Sequence, residues 1–135
     1  MTCGGKGYLL GGWGTNGTDL EAFDSSEGRS VPGLITYDFE DKVWRNESKN
    51  FWTDDGSWMR GEAVCVELPD RTPKVFFLGG LISMDESKQL DFNIVHYWDP
   101  EQDEWFEQET VGRAPEPRLD SCAVGVSGPN GTYEM

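Results

Sequence analysis

The sequence predicts an all-β chain built from short antiparallel strands, and three observations carry that expectation. Apolar residues recur with a period of two rather than 3.6, in runs rich in Val, Ile, Tyr, Phe and Trp. The runs are punctuated by clusters of Asp and Ser and by 17 Gly and 7 Pro. The same run types then return later in the chain in the same order.

Taken in order, Tyr8 to Gly12 is the first expected strand, followed by a long loop from Trp13 to Gly33. Within it, Asp19 to Phe23 is the only helical candidate, and five residues are too few for a stable helix. Leu34 to Phe39 and Val43 to Asn46 read as the next strands, and Glu47 to Gly61 as the second long loop. Glu62 to Leu68 and Lys74 to Gly80 follow, then a loop from Leu81 to Phe92, then Asn93 to Asp99 and Glu104 to Gln108. A loop from Thr110 to Leu119 leads to Ser121 to Ser127, and a further strand is expected to begin at Tyr133-Glu134-Met135.

The repeat is specific in its residues. Gly7-Tyr8-Leu9-Leu10-Gly11-Gly12 returns as Val75-Phe76-Phe77-Leu78-Gly79-Gly80, a hydrophobic strand stopped by a glycine pair. Tyr37-Asp38 followed by Trp44 returns as Trp98-Asp99 followed by Trp105, with 61 residues separating both the Asp and the Trp positions. Arg60 before Ala63-Val64 returns as Arg118 before Ala123-Val124. Glycine pairs permit positive φ and close backbone approach, Asp suits the tight turn, and each Trp offers about 150 to 250 Å² of apolar surface to seal neighbouring sheets.

This set of residues resembles the kelch repeat, and the resemblance covers essentially the whole chain. It implies an incomplete kelch-type β-propeller of two to two-and-a-half four-stranded antiparallel blades, with strands lettered a to d from the central channel outward. Residues 1–61 are expected to form a first blade with strands b, c and d and no clear a; residues 62–109 a complete second blade; residues 110–135 the start of a third. The chain looks cut from a longer propeller; head-to-tail closure of several copies into a ring is the alternative.

Composition narrows the function. A net charge of -14 disfavours a nucleic-acid binder, which needs Lys and Arg to replace condensed counterions, and equally an anionic membrane surface. No apolar run approaches a membrane span, since Val75 to Ile82 is interrupted by Gly79 and Gly80, and no secretory leader is visible after Met1. Cys3, Cys65 and Cys122 lack both zinc spacing and disulfide-framework density, and read as small buried or idle thiols.

With a and c running one way and b and d the other, the four long loops share one face, and that face is the expected binding surface. On it lie Trp13, Phe23, Phe51, Trp52, Trp58, Arg60, Arg113 and Arg118. Aromatics amid polar residues mark interaction hot spots, although any one of them also suits a satellite core beneath the loops. Arg60 and Arg118 stand where the kelch pattern places an Arg before its inner strand, which favours a structural role near the channel mouth.

Other patterns carry less. Gly12-Trp13-Gly14-Thr15-Asn16-Gly17 has dinucleotide-site spacing but no helix to meet a pyrophosphate. The acidic run around Trp105 lacks calcium-loop order, and the sequence offers the lone His96 no second His to share a metal and no Ser or Cys in an evident triad context. Copper oxidases resembling galactose oxidase share the propeller, but their chemistry needs a Tyr, His and Cys constellation that one His cannot supply. No cofactor and no metal are expected. Sequons stand at Asn16, Asn46 and Asn130, with N-glycosylation as their implied use.

The expected function is a non-enzymatic kelch protein-interaction module that binds a protein partner, or glycan in an extracellular parent, through the long loops. A fragment of a galactose-oxidase-type enzyme and a purely structural spacer are the alternatives. An extracellular or membrane-anchored parent, as in large fungal kelch proteins, is slightly favoured over a cytosolic adaptor, and no membrane insertion is expected within this segment. Because repeat units need at least three neighbours to be stable, the isolated chain is expected to be marginal or aggregation-prone. Thermal unfolding monitored with light scattering tests this: a cooperative transition from a monodisperse monomer counts against it.

Overall fold

The computed structural model describes residues 1–18, 29–31, 33–47, 58–67, 72–82 and 87–134. Its strands in chain order are β1 (Thr2–Cys3), β2 (Lys6–Leu10), β3 (Trp13–Gly14), β4 (Arg29–Ser30), β5 (Leu34–Asp38), β6 (Val43–Glu47), β7 (Glu62–Glu67), β8 (Pro73–Leu78), β9 (Ile94–Asp99), β10 (Glu104–Glu109), β11 (Val126–Ser127) and β12 (Tyr133–Glu134). They form two four-stranded antiparallel sheets, ordered β1-β2-β5-β6 and β10-β9-β8-β7, and two small hairpins, β3-β4 and β11-β12. Among the described residues neither large sheet closes into a barrel, an arrangement consistent with an incomplete multi-blade propeller.

The repeat seen in the sequence is a repeat in register. Gly7 pairs with Tyr37 and Tyr37 with Trp44 across the first sheet, just as Val75 pairs with Trp98 and Trp98 with Trp105 across the second. Backbone conformation repeats as well: Lys42 and Asp103 both have positive φ in equivalent turns, and so do Arg60 and Asp120 sixty residues apart. Arg60 is therefore matched by Asp120, not by Arg118 as the side chains suggest. Gly11 and Gly79, with φ of 63° and 60°, end equivalent strands. A Cβ on Gly11 would lie 2.3 Å from the Trp58 carbonyl oxygen, and one on Gly79 would lie 2.9 Å from that of Arg118. These glycines end β2 and β8 at Leu10 and Leu78, two residues before the expected ends.

The core lies between the sheets. Tyr8, Leu10 and Leu34 on the first meet Val75, Phe77 and Trp98 on the second, with Trp58 and Trp105 packed against the same cluster. Strand alternation puts one face of each sheet into this layer and turns the other away. The two repeats differ here. Trp98 is 1% and Phe77 2% exposed because the first sheet covers them, whereas Trp44 is 67% and Leu9 59% exposed. Trp44 packs on Tyr37, ring centroids 4.6 Å apart, and forms no seal against another sheet among the described residues. Trp44 is thus uncovered, and Trp105 is partly buried against the core, with its ring on Phe77 and Trp98 of its own sheet.

Three further features depart from the sequence reading. The first sheet has an edge strand, β1, reached from β2 through Gly4-Gly5, both at positive φ as a two-residue hairpin turn requires. Ser121 to Val124 stay outside any strand, and only Val126–Ser127 pair, with β12. Cys3 and Cys65, expected as idle thiols, are joined by a disulfide between the edge strands β1 and β7, with Cα atoms 5.3 Å apart. Cys122 is free and exposed. The helical candidate Asp19 to Phe23 lies outside the described residues.

Closing a loop with a separation of 62 residues removes unfolded-chain entropy worth about 4 kcal/mol. The double variant Cys3→Ser with Cys65→Ser is expected to lose stability of that order in denaturant unfolding under oxidising conditions, and to match the reduced wild-type chain.

Candidate functional site

Four segments converge at one end of the two sheets. Residues after β2, before β7, after β8 and before Ser121 meet through backbone contacts: Met59 and Leu81 bridge reciprocally, Gly80 N–H donates to the Arg118 carbonyl at 3.2 Å, and Asp120 N–H donates to the Arg60 carbonyl at 2.9 Å. Glycine makes these approaches feasible, since a side chain at Gly80 would meet the Met59 carbonyl oxygen at 2.6 Å.

The side chains expected on this face divide by environment. Trp13 is 39% exposed at the start of the β3-β4 hairpin, which carries part of the loop expected to lack regular structure. Trp58 is buried, and its indole N–H donates to the Gly79 carbonyl at 2.8 Å. This far-separated bond makes it a core residue rather than a surface contact. Arg60 donates through Nε to both Asp120 carboxylate oxygens at 3.1 Å. That guanidinium holds the Asp120 carboxyl below its ordinary range against the opposing effect of burial.

Arg113 and Arg118 are both exposed. Arg118 stands 5.9 Å above the Phe92 ring. Together they border a groove of about 470 Å³ floored by Leu78, Phe92 and Val95. Phe23, Phe51 and Trp52 lie outside the described residues. The glycine-rich segment 12–17 runs into a turn, with Thr18 N–H donating to the Thr15 carbonyl at 2.8 Å, and its sequon residue Asn16 is half-buried. Asn46 and Asn130 are exposed.

At the opposite end, the repeated Asp positions do structural work that the sequence only hinted at. Asp38 accepts from Glu40 N–H at 3.0 Å and Asp41 N–H at 3.1 Å, and Asp99 from Glu101 N–H at 2.9 Å and Gln102 N–H at 3.3 Å. Each also pairs with the equivalent lysine one strand away, Lys6–Asp38 at 3.8 Å and Lys74–Asp99 at 2.6 Å. The Asp41 N–H does most to hold the Asp38 carboxyl below its ordinary range. Burial pushes the Asp99 carboxyl up, but bonds from Lys74, Gln102 and the two backbone N–H groups outweigh it and hold it low.

Nearby, burial and the Asp38 charge raise the Tyr8 phenol to about 12, so it stays neutral; its hydroxyl has no hydrogen-bond partner among the described residues. His96 is buried in β9, and burial lowers its pKa despite the charges of Glu107 and Asp91, so the imidazole is neutral at pH 7. Among the described residues no group of three or more His, Cys, Asp or Glu is placed to hold a metal ion.

With this geometry in hand, comparison with known proteins adds one likeness. The chain is similar to a kelch protein. A Kelch repeat-containing protein of Arthroderma benhamiae is 25% identical over 126 residues, which cover 93% of this chain and 17% of that protein. The chain thus spans about a sixth of the length of this relative. No family model matches. Two four-stranded sheets and a weak, partial kelch homologue are together consistent with partial propeller blades.

The depressed carboxyls of Asp38, Asp99 and Asp120 set an acid limit. Their stabilisation is complete above the ordinary carboxylate pKa, near about 4, and is lost as pH falls through their lower folded values. Lys74→Met, which strands a buried carboxylate, should cost about 3 to 5 kcal/mol at pH 7. The gap from wild type should narrow near pH 3, because loss of the Lys74 bond lets Asp99 take up a proton more readily and so relieves the stranded charge. Denaturant unfolding at both pH values checks it; an equal cost at both contradicts the ion-pair account.

Proposed function

We propose that this chain is part of a kelch-type propeller whose long-loop face binds a protein partner. The carrying observation is the groove bordered by Arg113 and Arg118: an apolar floor with two exposed cations in a chain of net charge -14. Such a site suits a partner segment that offers an apolar side chain beside a carboxylate, because the apolar floor rewards burial while the guanidiniums select the negative group. Trp13 extends the face toward the first sheet. Phe23 and Trp52 belong to it on the strength of the sequence alone. The name of the fungal relative supports the kelch assignment, and the repeated register supports a blade-like unit.

Arg60 enters as a support. Its side chain is committed to Asp120, so it orders the loop between Arg113 and Ser121 rather than reaching outward.

Partner capture by the complete propeller tests the reading. Arg113→Glu with Arg118→Glu, and separately Trp13→Ala with Trp52→Ala, should each weaken capture about tenfold or more while thermal unfolding stays unchanged. Undiminished capture by both double variants would defeat the face assignment.

A further inference from the structure

We infer that this chain matures in an oxidising, N-glycosylating lumen, where it acquires the Cys3–Cys65 disulfide and N-linked glycans at Asn46 and Asn130. Two independent observations converge on that compartment. The first is covalent: two cysteines on edge strands of different sheets meet as a disulfide. Such cross-links persist where glutathione and thioredoxin do not keep thiols reduced.

The second is the sequons. Three of the five Asn residues are followed two positions later by Ser or Thr, where this composition would give roughly one in eight. Exposure separates the three. Asn130 sits exposed at φ 59° in the turn joining β11 and β12, and its Thr132 hydroxyl donates to the Pro129 carbonyl at 2.9 Å. Asn46 is exposed on β6, the outer edge strand of the first sheet. Asn16 is half-buried in a turn where Thr15 and Thr18 hydroxyls accept backbone N–H bonds, and it is left out.

Asn46 also borders a shallow surface hollow with Leu9, Ile35 and Trp44.

The chemistry balances with ordinary lumenal reagents. The Cys3 and Cys65 thiols together give up two protons and two electrons to the disulfide of a thiol oxidoreductase, which becomes a dithiol. For each glycan, the Asn amide nitrogen forms a bond to the anomeric carbon of a lipid-linked oligosaccharide diphosphate. The carbon–oxygen bond to phosphate breaks, the lipid diphosphate leaves with the electron pair, and the amide nitrogen loses one proton.

Peptide mapping of protein captured from the cells that make it tests this, with and without an amidase that releases N-linked glycans. Without reduction, the peptides bearing Cys3 and Cys65 should be linked while Cys122 alkylates; after release, positions 46 and 130 should read as Asp. Unmodified Asn at both positions, or alkylated Cys3 and Cys65, overturns the inference. In a secreting eukaryotic host, Asn46→Gln and Asn130→Gln should each remove one glycan and the pair should remove all. A glycan kept by the double variant overturns the site assignment. Glycans are added to the emerging chain, so lysate read alongside medium scores variants that fail to fold.

Discussion

The contact between the two sheets governs the rest of the molecule. Among the described residues each large sheet has four strands, and a sheet of that size is stable when one face is buried against something of matching shape. Here Phe77 and Trp98 supply the bulk from one side, while Tyr8, Leu10 and Leu34 supply the receiving surface from the other. Burial of large aromatics dominates such interfaces, and the disulfide at one edge fixes their approach. The converging loop segments then have a rigid platform, so the close backbone approaches at Gly11, Gly79 and Gly80 are consequences of the sheet packing rather than independent features.

The asymmetry between the two repeats follows from the same contact. Trp44 and Trp105 occupy one place in the strand register, yet one is exposed and the other is partly buried against the core. Equivalent residues in a repeat share their local geometry by construction, whereas their burial depends on which neighbour stands beside each unit. The Lys–Asp pairs show the same split: Lys74–Asp99 is almost fully enclosed, and Lys6–Asp38 remains partly open.

Much of this fold was legible in the chain itself. The central strands announce themselves by apolar alternation, and the Asp turns by their side-chain chemistry. Strand β1 carries no such alternation in two residues, and only the Gly-Gly pair following it betrays a hairpin. The disulfide escaped because spacing rules look for density, while this bond depends on the edge strands of two sheets meeting in space. Trp58 sits in a loop-like stretch of sequence, and nothing local reveals that its indole nitrogen finds a carbonyl 21 residues away. For the site, strand alternation gave an expected shared face for the loops, but the exposure of Arg113 and Arg118 and the groove between them required the path of residues 110–124.

The position of the cross-link has a mechanical meaning. It ties the sheets along β1 and β7 only, whereas away from it Lys6, Tyr8, Thr36 and Arg45 face Trp98, Pro100 and Asp103 across a cleft of about 230 Å³. The pair of sheets is bound like the leaves of a book, fastened at the spine and held at the fore-edge by weaker forces. Tension applied across the open side would fan the leaves and wet the tyrosine between them, while the spine kept them in register to shut again.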